Sequence, residues 1–354
     1  NKMKPVGKLG KRVKGEDENW EWTLDFGLCF MKGKRKWKWK QTDLHIYFMS
    51  LIKNPEYVGF VRHRTRVTGR RHRKTGQSAT DRRQKMQIGN KIFDIGHHTA
   101  VMAILNVTPD SFSDGGSYKN MDDIRRRVSQ MIEEGAEIID IGGESTRPGH
   151  IQISDEEEIC RVAPVVACLK KEFDIPLSVD TYKSAVAEAA IQAGCDLIND
   201  IWGLQYDEKM AGLIADAGVS RCLMHNREKI DYRDFLPDCM ADMRKIIETA
   251  KVAGIAEDKM ILDPGVGFGK TLEQNLMVMK HLNDFNQFGY PVLLGTSRKS
   301  MIGLTLDLPV DQRVEGTITT SVWAVRAHYG FVRVHDVAAN YRAVRMAEAI
   351  MNAQ

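Results

Sequence analysis

Residues 103–116 read Ala103-Ile-Leu-Asn-Val-Thr-Pro-Asp-Ser-Phe-Ser-Asp-Gly-Gly116, and this stretch decides the interpretation of the fold. Its first half belongs to an apolar run, residues 100–107, that is typical of a buried strand. Pro109 prevents further strand pairing, and a helical pattern begins at Met121. The order is therefore a strand, a polar loop and a helix. In parallel α/β folds, functional groups gather at this carboxyl end of a strand.

Asn106, Asp110 and Asp114 place amide and carboxylate oxygens at the polar loop. Their hard oxygens could hold Mg²⁺ and face a phosphorylated ligand, since Mg²⁺ prefers oxygen ligands. The alternative is an ordinary turn, because Pro-Asp and Gly-Gly are common turn pairs. The loop alone does not decide between a magnesium site and a turn.

Charge divides the 354-residue chain into two regions. The first 90 residues carry 23 Lys and Arg against 8 Asp and Glu, a net charge of +15, whereas the remainder has a net charge of −11. A well-patterned segment begins at Met86, so we predict a basic extension, residues 1–85, and a single domain, residues 86–354. The acidic body of that domain gives no reason to expect nucleic-acid binding.

The extension has two interpretations. Basic residues interleaved with tryptophan, as in Lys34-Arg-Lys-Trp-Lys-Trp-Lys40, suit phosphate contact and base stacking by a nucleic-acid-binding arm. No helical or alternating period persists there, however, and the sequence begins with Asn1 rather than Met. These two features favour a disordered extension, or upstream sequence that is not part of the natural product.

Cysteine usage and hydropathy indicate the compartment. The six cysteines form no Cys-x-x-Cys pair and no metal-binding spacing, which suits free thiols in a reducing cytosol. No run of about 18 apolar residues is present, and no secretory signal is apparent. We therefore expect a cytoplasmic chain with no membrane partner.

Short apolar runs alternate regularly with amphipathic helical patterns along the domain. The predicted strands are residues 100–107, 136–142, 176–181, 196–201, 220–225, 260–265, 291–297 and 331–336. The predicted helices are residues 121–135, 154–173, 183–193, 208–217, 238–253, 272–285, 316–328 and 337–351. Eight such units in about 260 residues favour an α/β fold of the (β/α)₈ TIM-barrel type over a doubly wound sheet. A short hairpin at Ile88–Thr99 would plug the amino-terminal end of the barrel.

A barrel brings the carboxyl ends of all eight strands into one ring. The residues at those ends are Asn106, Asp114, Thr146, Arg147, Asp180, Asn199, Met224, His225, Asp263, Phe268, Lys299, Ser300, Arg333, His335 and Asp336. A single buried Asp or His is most often a satisfied structural group, but a whole ring of polar strand ends indicates a ligand site.

The chemistry of this ring divides into two halves. Asp180, Asn199 and Asp263 suit a flat heterocycle, since a buried carboxylate needs paired donors and a 2-amino-pyrimidinone edge supplies two. Asn106, Arg333 and His335 are phosphate-binding types, with Mg²⁺ as a helper at Asn106. No Ser/His/Asp or Cys/His nucleophile arrangement is evident.

The glycine-rich segment Gly265-Val-Gly-Phe-Gly-Lys-Thr271 does not fit a nucleotide-binding P-loop. A P-loop ending in Gly-Lys-Thr needs glycine at position 264, where this chain has Pro264. The three glycines are better explained as permitting close approach of the backbone to a ligand.

Taken together, the motifs resemble one family. They are Leu105-Asn-Val-Thr-Pro-Asp-Ser-Phe-Ser-Asp-Gly-Gly116, Glu144-Ser-Thr-Arg-Pro-Gly149, Ser178-Val-Asp-Thr181, Asn199-Asp-Ile201, Asp263-Pro-Gly-Val-Gly-Phe-Gly-Lys270, Ser297-Arg-Lys-Ser300 and Arg333-Val-His-Asp336. In this order and spacing they resemble the dihydropteroate synthases, which are pterin-binding barrels of folate biosynthesis. The likeness begins at Met86 and leaves residues 1–85 unmatched.

The resemblance implies a reaction and a set of binding residues. The reaction joins 6-hydroxymethyl-7,8-dihydropterin diphosphate to p-aminobenzoate and releases pyrophosphate. The implied pterin-binding residues are Asp180, Asn199, Met224, Asp263, Phe268, Lys299 and Arg333. The implied diphosphate-binding residues are Asn106, Arg333 and His335, with Mg²⁺ at Asn106. The implied p-aminobenzoate-binding residues are Thr146, Arg147, Pro148, Phe268, Lys299 and Ser300.

The resemblance also implies a mechanism with catalytic roles for Asp114, Arg147 and Lys299. Metal and basic side chains would neutralise the departing diphosphate, so that the C–O bond breaks with little help from the nucleophile. Asp114 would stabilise the resulting pterin methylene cation, which the arylamine then attacks. The same resemblance implies a homodimer and makes the chain a candidate sulfonamide target.

Two rival functions remain open from the sequence. A pterin-dependent methyltransferase barrel shares the pterin-holding acids, but the diphosphate set of Asn106, Arg333 and His335 argues against it. A non-catalytic nucleic-acid-binding protein would act through residues 1–85, and its binding would depend on salt.

Overall fold

A computed structural model describes residues 85–108, 121–145 and 152–353 of the chain. The predicted basic extension lies outside the described residues except for Lys85. The predicted disorder of that extension therefore stays a prediction.

Two antiparallel strands precede eight parallel ones. The hairpin consists of β1, Lys85–Ile88, and β2, Lys91–Asp94. The parallel strands are β3 Ala100–Asn106, β4 Ile138–Gly142, β5 Leu177–Asp180, β6 Leu197–Asp200, β7 Ser220–Met224, β8 Met260–Asp263, β9 Leu293–Leu294 and β10 Phe331–Val334.

The parallel strands form a nearly closed barrel. Their hydrogen-bonded order is β8-β7-β6-β5-β4-β3-β10-β9. A parallel bridge between Leu262 of β8 and Val292, next to β9, joins the two ends of this order. The sheet therefore has no open edge, and the predicted (β/α)₈ barrel is confirmed.

Both faces of the barrel strands are buried, which explains why their sequences are continuous apolar runs. Along β3, for example, Val101 and Ala103 pack in the core that the helices cover, whereas Ala100 and Met102 pack in a separate inner cluster. The two sets alternate because successive strand residues point to opposite faces.

The amino-terminal end of the barrel is closed by the hairpin. Met86, Ile88 and Phe93 are buried and join the inner cluster that contains Met102 and Phe331. Burial of each such side chain stabilises the fold by roughly 1.5–3 kcal/mol. The predicted hairpin plug is confirmed, although the hairpin spans residues 85–94 rather than 88–99.

Nine α-helices lie among the described residues. They are α1 Met121–Glu133, α2 Asp155–Glu172, α3 Ser184–Gln192, α4 Met210–Ala217, α5 Phe235–Val252, α6 Leu272–Lys280, α7 Ser300–Leu306, α8 Val314–Arg326 and α9 Val337–Asn352. Local sequence sets several ends: Ser154 caps α2 through the Glu157 amide, and Thr271 forms a capping box with Gln274 at α6.

The predicted elements differ from the structure around strand β9. The predicted strand 291–297 forms a ladder only over Leu293–Leu294, with one further bridge at Val292, while Thr296 and Ser297 make side-chain contacts outside the ladder. The predicted helix 272–285 ends at Lys280 and continues as a 3₁₀ turn, Leu282–Phe288. Helix α7 was not predicted. Of the helices that the structure describes, none combines the length and apolar character needed to cross a bilayer.

Candidate active site

The predicted ligand residues meet at the carboxyl end of the barrel. Asp180, Met224 and Asp263 are the last residues of their strands, and Asn199 lies in register with Asp180 on the adjacent strand. The first three and Asn199 are buried, and Arg333 is half-buried. The structure therefore brings the predicted pterin-binding residues of five strands into one ring.

Arg333 lies between two carboxylates. Its Nη2 donates to Asp180 Oδ2 at 2.7 Å, and its Nε donates to Asp140 Oδ2. Burial lowers the pKa of Arg333, but the two carboxylates outweigh that effect and hold the pKa above its ordinary value. The guanidinium is charged at any physiological pH, and Nη1 has no hydrogen-bond partner among the described residues.

The pKa of the Asp180 carboxyl group is well above its ordinary value. Burial raises its pKa to about 7, Arg333 opposes the rise and the neighbouring Asp140 carboxylate adds to it. Its Oδ1 is buried and lacks a hydrogen-bond partner within the described part of the chain. A buried acceptor without a partner is costly, so this oxygen is suited to a ligand donor.

Asp263 is a second buried strand-end carboxylate. Its Oδ1 accepts a hydrogen bond from the Gly265 amide at 2.7 Å. Burial raises its pKa, and the positive charge of Lys299 opposes the rise. A ligand with N–H donors would therefore stabilise the carboxylates of both Asp180 and Asp263, because hydrogen bonds from such donors favour the ionised form.

Lys299 lies over Phe268 at the rim of the ring. Its Nζ is 4.4 Å from the centre of the Phe268 ring and donates to the Val266 carbonyl at 2.5 Å. Burial lowers the pKa of Lys299 to about 8, and the charge of Asp263 opposes the fall. Ser300 follows as the exposed first residue of α7.

The glycine-rich loop after β8 is built around Lys270. The Lys270 ammonium is buried and donates to the carbonyls of Gly265 and Phe268 at 2.9 and 3.0 Å. Burial lowers its pKa to about 8. Gly265 has φ +69°, and a Cβ there would lie 1.8 Å from the His225 carbonyl. The glycine thus permits close approach to a neighbouring strand end, and the lysine fixes the loop from within rather than holding a nucleotide.

His225 supports this loop rather than facing the ring. It is fully buried, with Nδ1 2.9 Å from Lys270 Nζ and Nε2 3.3 Å from Asp242 Oδ2. Burial and the nearby ammonium lower the pKa of His225 to about 4. Its Nδ1 therefore accepts a hydrogen bond from Lys270.

The phosphate-binding candidates lie on neighbouring strands. Asn106 is the half-buried last residue of β3, and His335 follows β10. Ser297 Oγ accepts from the His335 amide at 3.0 Å and lies 2.9 Å from His335 Nδ1. The Ser297 hydroxyl therefore contacts both the backbone and the imidazole of His335 and holds the ring in place.

The Ser-Arg-Lys-Ser segment is fixed by its arginine. Arg298 has φ +56°, and its Nε donates to Asp336 Oδ2 at 2.9 Å. Its amide donates to Thr317 Oγ1 at 3.0 Å. Asp336, a member of the predicted ring, therefore pairs with Arg298 and orients the segment that carries Ser297 and Lys299.

A buried ion-pair network anchors both ends of the loop between β4 and α2. Glu144 accepts from Tyr182 Oη at 2.6 Å, from Lys183 Nζ at 2.7 Å and from the Ile153 amide at 3.0 Å. Burial alone would raise the pKa of Glu144, but these donors lower it overall. The network fixes residues 144 and 153, whereas Thr146, Arg147 and Pro148 between them lie outside the described residues, as does Asp114.

Asp140 is the main site residue that sequence reasoning missed. It is fully buried in β4 and accepts from Ser178 Oγ at 2.5 Å and from Asn199 Nδ2 at 3.3 Å, besides Arg333. The available signal was a charged residue inside the apolar run Ile138-Ile-Asp-Ile141. Such a residue needs partners, because an unpaired buried charge is strongly unfavourable.

Known proteins with similar sequences have the function that this fold and site indicate. Residues 102–335 match the family model described as pterin binding enzyme. The dihydropteroate synthase of Clostridium beijerinckii is 53% identical over 267 residues, which cover 75% of this chain and 99% of the relative. The Bacillus subtilis enzyme of the same name is 48% identical over 276 residues, covering 78% and 97%.

Solved structures give the same result. A dihydropteroate synthase from Clostridium difficile, in the presence of pteroic acid, has a TM-score of 0.71 and 49% identity and covers 73% of this chain and 98% of that one. The Yersinia pestis enzyme with a sulfonamide drug complex has a TM-score of 0.71 and 42% identity, covering 76% and 100%. The Xanthomonas albilineans enzyme with 4-aminobenzoic acid has a TM-score of 0.72 and 37% identity, covering 77% and 99%.

The chain therefore belongs to the family of pterin-binding enzymes. Within that family it is one of the dihydropteroate synthases, which are transferases of folate biosynthesis. This result favours the predicted synthase over the methyltransferase alternative. The nucleic-acid alternative rests on the extension, of which only Lys85 is described.

Proposed function

We propose that the strand-end ring joins a 6-hydroxymethyl-7,8-dihydropterin diphosphate to p-aminobenzoate. The observation that carries the proposal is the pair of buried carboxylates Asp180 and Asp263, whose pKa values are raised by burial and which lie at the ends of different strands of one barrel. The amino group and ring N–H of a pterin supply the donors that such carboxylates lack. The related structures determined with pteroic acid and with 4-aminobenzoic acid support the same two ligands.

Polar side chains would bind the edge of the pterin, and apolar side chains would pack against its faces. Asp180 and Asp263 would accept its N–H groups, and the Asn199 amide would supply one further polar contact. Met224 is buried and packs in a small apolar cluster to which Phe268 also belongs, a surface suited to a flat ring. Lys299 beside Asp263 would donate to a pterin oxygen or ring nitrogen.

The diphosphate would lie against Arg333, His335 and Asn106. Arg333 retains Nη1 as a donor, and Ser297 holds the His335 ring, so both side chains would bond to phosphate oxygens as negative charge develops there. Donors already fixed by Asp140, Asp180 and Ser297 need little reorganisation, which is the condition for effective transition-state stabilisation.

Mg²⁺ fits this site only as a partner of the substrate. The described residues contain no cluster of three His, Cys, Asp or Glu side chains suited to a metal ion. Asn106 offers one amide oxygen, and Mg²⁺ commonly combines few protein ligands with substrate phosphates and water. When bound, the ion would neutralise charge on the diphosphate.

The reaction then follows from charge separation. The bond between the pterin methylene carbon and the diphosphate oxygen breaks, and its electron pair leaves with the diphosphate. Asp114 would stabilise the methylene cation electrostatically. The amine nitrogen of p-aminobenzoate forms the new C–N bond and loses one proton. Thr146, Arg147 and Pro148, with Phe268, Lys299 and Ser300, would hold that second substrate.

We also propose a cytoplasmic homodimer. Helices α7 to α9 and the α7–α8 connection expose large apolar side chains, namely Leu304, Leu306, Val310, Trp323, Met346 and Ile350. Apolar surface on adjoining elements is typical of a protein interface. Trp323→Glu should halve the mass measured by light scattering. Ile92→Glu, a change at an exposed residue of the hairpin, should leave the mass unchanged. A monomeric unsubstituted chain would refute the dimer.

Pyrophosphate release tests the proposed reaction. Release should require the pterin diphosphate, p-aminobenzoate and Mg²⁺ together, and mass spectrometry should find 7,8-dihydropteroate in equal amount. A sulfonamide should compete with p-aminobenzoate, as the ligand of the Yersinia pestis structure suggests. Release at the same rate without p-aminobenzoate would indicate a hydrolase and refute the proposal.

A further inference from the structure

Asp140 occupies a position from which it controls the ring without belonging to its open face. It pairs in register with Ser178, two residues before Asp180 on the same strand, and so lies one layer deeper in the barrel. It is fully buried, and its two oxygens already accept from Ser178, Asn199 and Arg333. A carboxylate filled by protein donors is suited to holding other side chains rather than a ligand.

The first of these contacts sets the orientation of the Asn199 amide. Nδ2 donates to Asp140 Oδ2 at 3.3 Å. A flipped amide would place its carbonyl oxygen against the carboxylate, which is repulsive because both are acceptors. Asp140 therefore determines that Asn199 keeps Oδ1 and its second N–H for other partners.

The second contact anchors Arg333. The guanidinium bridges Asp140 through Nε and Asp180 through Nη2. The two carboxylates differ, because Asp140 is saturated with donors whereas Asp180 Oδ1 has no partner among the described residues. When a ligand with N–H donors binds Asp180 Oδ1, the Asp140 contact holds Arg333 independently of the ligand-binding carboxylate.

We propose that Asp140 is a positioning residue of the reaction, which holds Arg333 and Asn199 in place while Asp180 accepts the N–H groups of the pterin. The proposal rests on the proposed function of the ring. Asp140 has a second effect through its charge, since a carboxylate this close to Asp180 resists ionisation of that group.

The charge effect gives a readout that loss of structure alone would not produce. The charged groups that face Asp180 are Arg333 from β10, Asp140 from β4, Glu158 from α2 and Lys299 beside α7. The pKa of Asp180 is raised by burial first, lowered by Arg333 and raised again by Asp140. Removing the Asp140 charge therefore lowers the pKa of Asp180.

The decisive experiment compares Asp140→Asn with the unsubstituted full chain. We expect kcat/KM for the pterin substrate to fall on the order of 100-fold, as for other misplaced reacting groups, with KM for p-aminobenzoate unchanged. The acid limb of the pH profile of kcat/KM should move to lower pH, because removing the Asp140 charge lowers the pKa of Asp180. Asp140→Glu keeps the charge, so it should lower kcat/KM without moving the limb.

Asp200→Asn is the matched control. Asp200 is an equally buried carboxylate on the next strand but one, and within the described part of the chain its side chain accepts from the backbone amides of Trp202 and Leu204. It should lose comparable stability without a shift of the limb. An Asp140→Asn chain whose limb stays in place, or whose kcat/KM falls no more than that of Asp200→Asn, would overturn the proposal.

Calorimetric binding of 6-hydroxymethylpterin separates this proposal from the proposed reaction, because it needs no turnover. Asp140→Asn should bind the pterin at least tenfold more weakly, and Asp140→Glu provides the same test if the asparagine variant does not fold. Pyrophosphate release by the unsubstituted chain tests the reaction alone. Unchanged pterin affinity in a folded Asp140 variant would refute the positioning role of Asp140, even if pyrophosphate release confirms the reaction.

Discussion

Asp263→Ala should abolish pterin binding while leaving the barrel folded. Among the described residues, this buried carboxylate accepts one hydrogen bond, from the Gly265 amide. With a pterin edge opposite, it would accept two further N–H donors. Each hydrogen bond to a charged group contributes roughly 1.5–3 kcal/mol, so the loss is about 3–6 kcal/mol. At 1.4 kcal/mol per factor of ten, the pterin affinity should fall roughly 10²- to 10⁴-fold.

The stability of the same variant should change little. The unpaired Gly265 amide costs about 1 kcal/mol, and removing a poorly solvated carboxylate offsets part of this. Burial raises the pKa of Asp263, so the folded state binds a proton more readily than the unfolded state. The unsubstituted protein therefore loses stability as pH rises through that pKa, and the variant should gain relative to it over the same window.

Calorimetry with 6-hydroxymethylpterin measures the predicted loss of affinity in Asp263→Ala, and thermal melting measures whether the variant remains stably folded. Asp200→Asn, which alters a buried carboxylate that bonds to its own turn, serves as the control and should keep its pterin affinity. An Asp263→Ala protein that melts normally and binds the pterin within threefold of the unsubstituted chain would refute the assignment of Asp263.

Four further predictions use the remaining features. Asp114→Ala should lower kcat far more than it weakens pterin binding, since the cation forms only after the diphosphate leaves; a raised KM with unchanged kcat would contradict this. Lys270→Met should remove a rise in stability between about pH 8 and 10.5, because burial depresses the pKa of Lys270 and the unfolded chain then binds more protons; urea titrations measure it. Arg221→Met should raise the melting temperature, because two nitrogens of this buried guanidinium lack partners within the described residues; a lower value would indicate a missed partner. Deleting residues 1–85 should leave activity and melting temperature unchanged, whereas a drop of several degrees would show that the extension packs on the barrel.

Much of the barrel could be predicted because its signals are local. Strands such as β3 and β4 are buried on both faces, so they appear as continuous apolar runs, and helices such as α1 show a clear apolar face. The shortness of β9 could not be predicted, since Thr296 and Ser297 leave the ladder to meet Thr320 and His335, which lie far along the chain. Helix α7 was missed because it begins directly after a segment interpreted as a loop.

The sequence predicted which polar side chains meet at the strand ends, but not how deep in the barrel each one lies. Strand-end position and residue type were enough to select Asp180, Asn199 and Asp263. Asp140 was missed because its role depends on the stagger between strands, which places it beneath Asp180 and within reach of Arg333. His225 was predicted in the ring but turns instead towards Lys270, a direction set by the glycine-rich loop that approaches its carbonyl.

A crystal structure of the full chain with 6-hydroxymethylpterin and pyrophosphate tests the central claim most directly. The account predicts a pterin whose N–H groups bond to Asp180 and Asp263, with pyrophosphate on Arg333 and His335. Difference density for the pterin elsewhere on the molecule, or at the ring without contact to either carboxylate, would contradict it.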